Sequence, residues 1–150
     1  MKAYFDTSVV TKWYLPEPDS ALALRIRARF SPPSVLTHLH RLELVTAWQL
    51  KVFRHEITQG VVERARGHLE EDVAAGVWEL PSYDLVDVFS RAEQLSRLHT
   101  ATLGTRSLDI VHAAAALVLA ASAFVTADER QARLARGAGL RVTTLQPYRK

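Results

Sequence analysis

The chain has 150 residues, 48% of them hydrophobic and 23% charged, a composition that closes around an ordinary apolar core without disulfide or metal staples. It has no cysteine, which excludes thiolate catalysis, cysteine-ligated zinc and disulfides, and suits a reducing compartment. Lys and Arg (19) exceed Asp and Glu (16) by 3, a mild positive balance whose arginines gather at 25–29 and in the last quarter, where they either steer a polyanion or solvate helix faces.

Residues 2–5 predict a short buried strand that stops at Asp6. "TSVVTKWYL" predicts a short helix broken by Pro16 and Pro18, after which Asp19 caps a helix running to about Phe30. A turn at "SPPS" leads into a strand near Ser34–Leu36. From His38 to His55, Leu39, Leu42, Val45 or Thr46, Gln49 or Leu50, and Phe53 recur at helical spacing and predict an apolar face there. A helix follows over Val61–Ala75, and Gly76 separates it from the strand "VWELP". Asp84–Thr100 is helical, with Leu85, Val88, Ala92, Leu95 and Leu98 or His99 on one face. Ser107–Ser122 is an alanine-rich helix running into a buried strand, Ala123–Thr126. The apolar stretch they share falls short of the roughly 20 residues a membrane span needs. A helix over Glu129–Arg136 and a strand near Arg141–Thr143 complete the pattern. Short apolar strands alternating with helices predict one α/β/α sandwich around a central, mainly parallel sheet, as a single domain over 1–150. The first acid falls at position 6, inside any signal-peptide apolar core, so a cytoplasmic location is expected.

Parallel sheets of this kind bind ligands beyond the carboxyl ends of their strands. Asp6 lies just past the first strand, Asp128 just past a late one with Thr126 at its tip, and Asp109 in the first turn of a helix. Glu43 sits about a turn and a half into its helix between apolar neighbours, Leu39 and Ala47, so it points inward or to the edge of that stripe. Each acid has a local explanation. Asp6 caps the helix after it, Asp128 and Gln131 form a capping box, Asp109 complements a helix dipole, and Glu43 pairs with a base or reaches solvent. Together they say more, because three fall on one sheet edge and the fourth on a helix able to face it. Clustered carboxylates repel unless a cation joins them, and oxygen-only ligands favour a hard divalent ion, Mg²⁺ or Mn²⁺. Such an ion polarises a phosphoryl oxygen and activates water, which is what phosphodiester hydrolysis requires.

The stretches "YFDTSVV", "HRLELVTAW" and "SLDIVHAAAALVLAASAFVTADER", with the strand after "GAGL", resemble the PIN domain, and most closely the VapC-type toxin ribonucleases of bacterial toxin–antitoxin pairs. The resemblance runs from Lys2 to about Leu145. It implies metal-binding or catalytic roles for Asp6, Glu43, Asp109 and Asp128, with Ser8 and Thr126 as hydroxyls that orient the acids or the metal's waters. It further implies an Mg²⁺- or Mn²⁺-dependent endoribonuclease acting on structured RNA such as tRNA or rRNA. The family members are usually homodimers, inhibited by a small antitoxin laid across the active-site groove. Many relatives carry an asparagine three positions after the inner glutamate; here Thr46 stands there and keeps only a hydroxyl.

His112, three residues after Asp109, shares its helix face and supports the site or makes a structural hydrogen bond. His38 and His40 open a helix that also carries Glu43, but with Asp109 and His112 they lack the spacing of a zinc site. Trp13, Tyr14 and Leu15 read as core, or as a groove wall; Trp48 and Phe53, five apart, do not share a stripe, which sends one of them to an interface. Two further functions fit the same fold: a non-catalytic RNA-binding or regulatory module, and a nuclease for DNA ends or flaps.

Overall fold

The computed structural model describes residues 2–145. In chain order the elements are β1 (Ala3–Phe5), α1 (Thr7–Tyr14), α2 (Ser20–Arg27), β2 (Ser34–Val35), α3 (His38–Phe53), α4 (Gln59–Ala74), β3 (Trp78–Glu79), α5 (Leu85–Leu103), α6 (Ser107–Val118), β4 (Ala123–Thr126), α7 (Glu129–Gly137) and β5 (Val142–Thr144). The strands form one sheet in the order β3-β2-β1-β4-β5, and every neighbouring pair is parallel. β1 lies in the middle, with Tyr4 opposite Val35 of β2 and Phe124 of β4.

Alternation along the strands divides the core into two layers. Ala3, Phe5 and Val125 face a cluster built with Val9, Val10, Leu44, Trp48 and Val62 of α1, α3 and α4. Tyr4, Val35 and Phe124 face the opposite cluster, built with Val88, Ala92, Ile110 and Leu134 of α5, α6 and α7. Ala113 to Ala116 are all buried in the cluster that holds Tyr4 and Phe124, and their short side chains let α6 lie close to α5. The α/β/α sandwich expected from the sequence is therefore the observed fold, with a sheet that is wholly parallel.

Helix ends follow local chemistry. Thr37 caps α3 by accepting His40 N–H, while the His40 ring accepts Thr37 N–H in return. Gly104, at φ 64°, closes α5 in the left-handed conformation that glycine adopts without a Cβ clash. α6 stops at Val118, short of the expected Ser122, because Ala120 turns left-handed (φ 50°) before β4 begins.

Two predicted faces need correction. On α3 the buried stripe is His40, Leu44 and Trp48, whereas Leu42, Val45, Leu50 and Phe53 are exposed, Phe53 by 80%. The apolar periodicity pointed to the wrong side because a histidine with both ring nitrogens hydrogen-bonded takes a core position that a hydropathy pattern assigns to solvent. On α5, Val88, Ala92 and Leu95 are buried as expected, but Leu85 and Leu98 are exposed. Trp13, Tyr14 and Leu15 belong to the core: Trp13 stacks on Trp78 with centroids 5.2 Å apart. Trp48 is buried and donates to Thr11 Oγ1 (3.0 Å), which leaves Phe53 as the surface aromatic of that pair.

Candidate active site

β1 and β4 end side by side at the carboxyl edge of the sheet, and two hydroxyls join the acids that follow them. Ser8 Oγ (2.7 Å) and Thr126 Oγ1 (2.8 Å) both donate to Asp6 Oδ2. Ser8 Oγ in turn accepts Ala127 N–H (3.2 Å), and Thr126 Oγ1 accepts Asp128 N–H (3.1 Å). Each hydroxyl thus gives its proton to the carboxylate and a lone pair to the backbone just past β4. Asp6 stands at the cap position of α1 yet makes no cap hydrogen bond with its side chain, so the local capping explanation does not hold for it.

Asp128 does cap its helix. Its Oδ1 accepts Arg130 N–H (2.7 Å) and Gln131 N–H (3.0 Å). The Gln131 side chain does not complete a box with Asp128; it reaches across and donates to the Asp109 carbonyl (2.9 Å), tying α7 to the first turn of α6. Asp109 accepts the Arg106 backbone N–H at the start of α6. Burial pushes its carboxyl up, the negative charge of Asp6 and then of Asp128 adds to the push, and the Arg106 N–H and charge offset it only in part.

Glu43 enters from α3. Thr7 Oγ1 donates to its Oε2 (2.8 Å), and His112 Nε2 makes a close contact with the same oxygen. Burial raises the Glu43 carboxyl, but the His112 hydrogen bond and charge, with Thr7, outweigh it and hold the group below the usual carboxylate range. His112 is buried, and its Nδ1 meets the Tyr4 hydroxyl at 2.8 Å. Burial above all pushes the Tyr4 phenol well up, which keeps its proton in place. His40, also buried, accepts Thr37 N–H at Nδ1 (3.0 Å) and donates from Nε2 to the Phe5 carbonyl (2.8 Å). Desolvation and the neighbouring His112 lower its pKa well below the ordinary histidine value, so it stays neutral. With both nitrogens of both rings engaged, neither histidine has a lone pair left for zinc.

Asp6, Glu43, Asp109 and Asp128 line one cleft of about 460 Å³, together with Thr7, Ser8 and Thr46. Leu42, Leu50 and Leu108 form its apolar wall. Thr46 takes part only as lining. A larger groove of about 640 Å³ runs between α5 and α6, but Leu85, Val86, Phe89 and Ile110 dominate it and Glu93 is its only acid, so the chemistry belongs to the smaller cleft.

Among the described residues no three acid or histidine side chains converge closely enough to hold one ion between them. The donor chemistry nevertheless suits Mg²⁺ or Mn²⁺. The open acidic donors are carboxylate oxygens, and Mg²⁺ is commonly held by one or two carboxylates while it keeps several waters. The protein donors to Asp6 go to Oδ2, those to Glu43 to Oε2 and those to Asp128 to Oδ1, so each acid turns one tethered oxygen to the protein.

The sequence assigned no role to Thr7 or Tyr4, and gave Gln131 only a place in a capping box with Asp128 rather than the bond to the Asp109 carbonyl. Thr7 had a visible signal, being the first of two hydroxyls after Asp6: one faces β4 and the other faces α3. Tyr4 sits in a three-residue core strand, where a buried phenol needs a partner for its hydroxyl.

A search of curated protein sequences finds no match to the chain. The family model for the PIN domain matches residues 3–137, from the first residue of β1 to the last of α7, a span that contains all four acids of the cleft. The chain belongs to the PIN domain family, whose members are typically nucleases that use divalent metals.

Proposed function

We propose that this chain is a metal-dependent endoribonuclease, the toxin of a toxin–antitoxin pair, which hydrolyses phosphodiester bonds in structured RNA such as tRNA or rRNA. The observation that carries the reading is the single cleft lined by Asp6, Glu43, Asp109 and Asp128 at the carboxyl edge of a parallel sheet. Asp6 and Asp109, with Asp128 and Glu43 beside them, are the residues to hold Mg²⁺ or Mn²⁺. When bound, the ion supplies Lewis acidity for the phosphoryl oxygen and a lower pKa for water. The chain's own contribution is orientation: Ser8 and Thr126 fix the Asp6 carboxylate, and Thr7 and His112 fix Glu43. A cation also relieves the repulsion that raises the Asp109 carboxyl.

Two protein partners fit this reading. Exposed Leu42, Leu50 and Leu108 beside the acids suit an antitoxin segment lying across the cleft. Exposed Leu85, Val86 and Phe89 on α5 suit a second copy of the chain, giving a homodimer. No helix among the described residues is long and apolar enough to cross a membrane, and we place the activity in the cytoplasm.

The test is digestion of tRNA, rRNA and flap DNA side by side, with Mg²⁺ or Mn²⁺, with EDTA, and with Asp6→Asn as the control. RNA cleavage that needs the metal and Asp6 supports the reading. Preference for flap DNA replaces the substrate, and Mn²⁺-independent RNA binding without cleavage replaces the enzyme with a binding module.

A further inference from the structure

The deepest part of the site is a chain of three side chains from three elements. Tyr4 on β1 meets His112 Nδ1 at 2.8 Å, and His112 Nε2 meets Glu43 Oε2. Tyr4 and His112 are 0% and 1% exposed, so no water competes for these contacts. A carboxylate only accepts, so the proton in the inner contact is on His112 Nε2, and Nδ1 pairs with the Tyr4 hydroxyl. The second donor to Glu43, Thr7 Oγ1, goes to the same oxygen, Oε2, at 2.8 Å. Thr7 and His112 also lie 3.3 Å apart, so the two donors converge from one side. Glu43 sits on α3, three residues beyond the cap-box histidine of that helix, and its long side chain has rotamer freedom that two donors on one oxygen remove.

We propose that His112 is a positioning residue for the nuclease: anchored by Tyr4, it takes Glu43 Oε2 together with Thr7 and turns Oε1 to the cleft. The proposal rests on the reading of the cleft as a divalent-metal nuclease site. In that site Glu43 contributes one oriented oxygen rather than a freely rotating carboxylate, and the order of the buried donors fixes which oxygen it is.

The two ends of the imidazole can be tested separately in the full-length protein. His112→Gln places an amide near the Nε2 position and keeps a donor to Glu43; His112→Asn reaches only the Nδ1 side, toward Tyr4. Two quantities are read: Mn²⁺ affinity by electron paramagnetic resonance on the protein alone, and kcat and KM for tRNA cleavage. Residues that orient metal-binding carboxylates typically change affinity or turnover by about 10–100-fold. The expected result is that His112→Asn weakens Mn²⁺ binding and lowers kcat by about tenfold or more with KM within about twofold, that His112→Gln recovers most of both, and that Thr7→Val shifts both in the same direction as Asn. A purely structural histidine predicts that Asn and Gln lower the melting temperature alike and leave Mn²⁺ affinity and kcat per folded molecule unchanged. That outcome, or better function in Asn than in Gln, overturns the proposal. If the variant at 112 does not fold, Thr7→Val carries the decision through the same two readouts. Wild-type protein that binds no Mn²⁺ overturns the metal-site reading and this proposal with it. Wild-type protein that binds Mn²⁺ without cleaving RNA removes only the assigned substrate, and the Mn²⁺ affinities still decide the role of His112.

Discussion

β1 and β4 are parallel neighbours, and each hands its chain to a helix through an aspartate. The two aspartates are used in opposite ways. Asp128, exposed, commits Oδ1 to two backbone N–H groups of α7 and does what the local sequence asks of a cap. Asp6, 7% exposed, makes no cap hydrogen bond and accepts two side-chain hydroxyls instead. Identical strand–acid–helix grammar therefore gives a helix start signal at one strand end and a buried carboxylate at the other. The difference lies in what stands beside each acid. Ser8 and Thr126 each have a backbone N–H to accept on the β4 side and a proton to give, and both give it to Asp6. A buried carboxylate with two hydroxyl donors has its hydrogen bonds met without committing its oxygens to the helix.

The comparison is broken most strongly at the charge. Asp6→Asn keeps the volume and an acceptor for both hydroxyls, yet removes the negative charge nearest the middle of the sheet. RNA cleavage should fall by on the order of 10²–10³ in kcat while the circular dichroism spectrum is unchanged. Asp128→Asn, with an equally good cap, should lose roughly tenfold at most, because its carboxylate is exposed and its charge is screened by solvent, unlike that of buried Asp6. Equal losses at both positions would show that the exposed aspartate is as central as the buried one, and the contrast would fail.

Thr126→Val attacks both strand ends at once. Thr126 is fully buried, and valine matches its shape while removing the hydroxyl that donates to Asp6 and accepts Asp128 N–H. Leaving these groups short of partners costs about 1–3 kcal/mol, read as a lower urea midpoint at unchanged m-value. Asp128→Ala should cost less, about 1 kcal/mol, as loss of an N-cap, and Asp128→Ser should restore most of it. A Thr126→Val protein as stable as wild type would mean that the hydroxyl bridge contributes nothing net.

How much of this was legible beforehand differs between backbone and side chains. Element order, the parallel sheet and the sheet edge carrying Asp6 and Asp128 follow from strand–helix alternation, which is local information. The choice of face on α3 was not legible, because His40 is core only by virtue of bonds to Thr37 and Phe5, and Phe5 lies 35 residues away in sequence. The use of Asp6 was likewise hidden, since its deciding partner Thr126 is 120 residues along the chain. Asp128 was readable because both its partners lie within three residues. Local bonds can be inferred from spacing; bonds that need the fold to exist first cannot.

The smallest expected effect concerns Asp109, which faces both strand-end acids from α6. Its folded carboxyl is raised, first by burial and then by Asp6, so the native state binds this proton more tightly than the unfolded chain does. Stability from this group is therefore greatest below the unfolded value of about 3.8, and falls as pH rises through the raised folded value. Glu43 runs the other way: its folded carboxyl is lowered, so its contribution is full above about 4.5 and is lost as pH falls through the folded value. The two oppose each other in the same acid window and flatten the pH dependence of the metal-free protein. Asp109→Asn keeps an acceptor for the Arg106 N–H and removes the repelled charge, so at pH 7 in EDTA its melting temperature should exceed that of wild type. The gain should be about 1–2 °C, small because the group is half-exposed and screened by solvent. Without Asp109 to oppose Glu43, the variant should also lose stability more steeply than wild type between pH 5 and 3. Adding Mn²⁺ at pH 7 should narrow or reverse the advantage, because the cation relieves the same repulsion in wild type and has fewer charges to meet in the variant. Thermal melts at the two pH values, with and without Mn²⁺, read all three effects, and an Asp109→Asn protein that melts below wild type at pH 7 in EDTA would show that the three acids do not repel one another across the cleft.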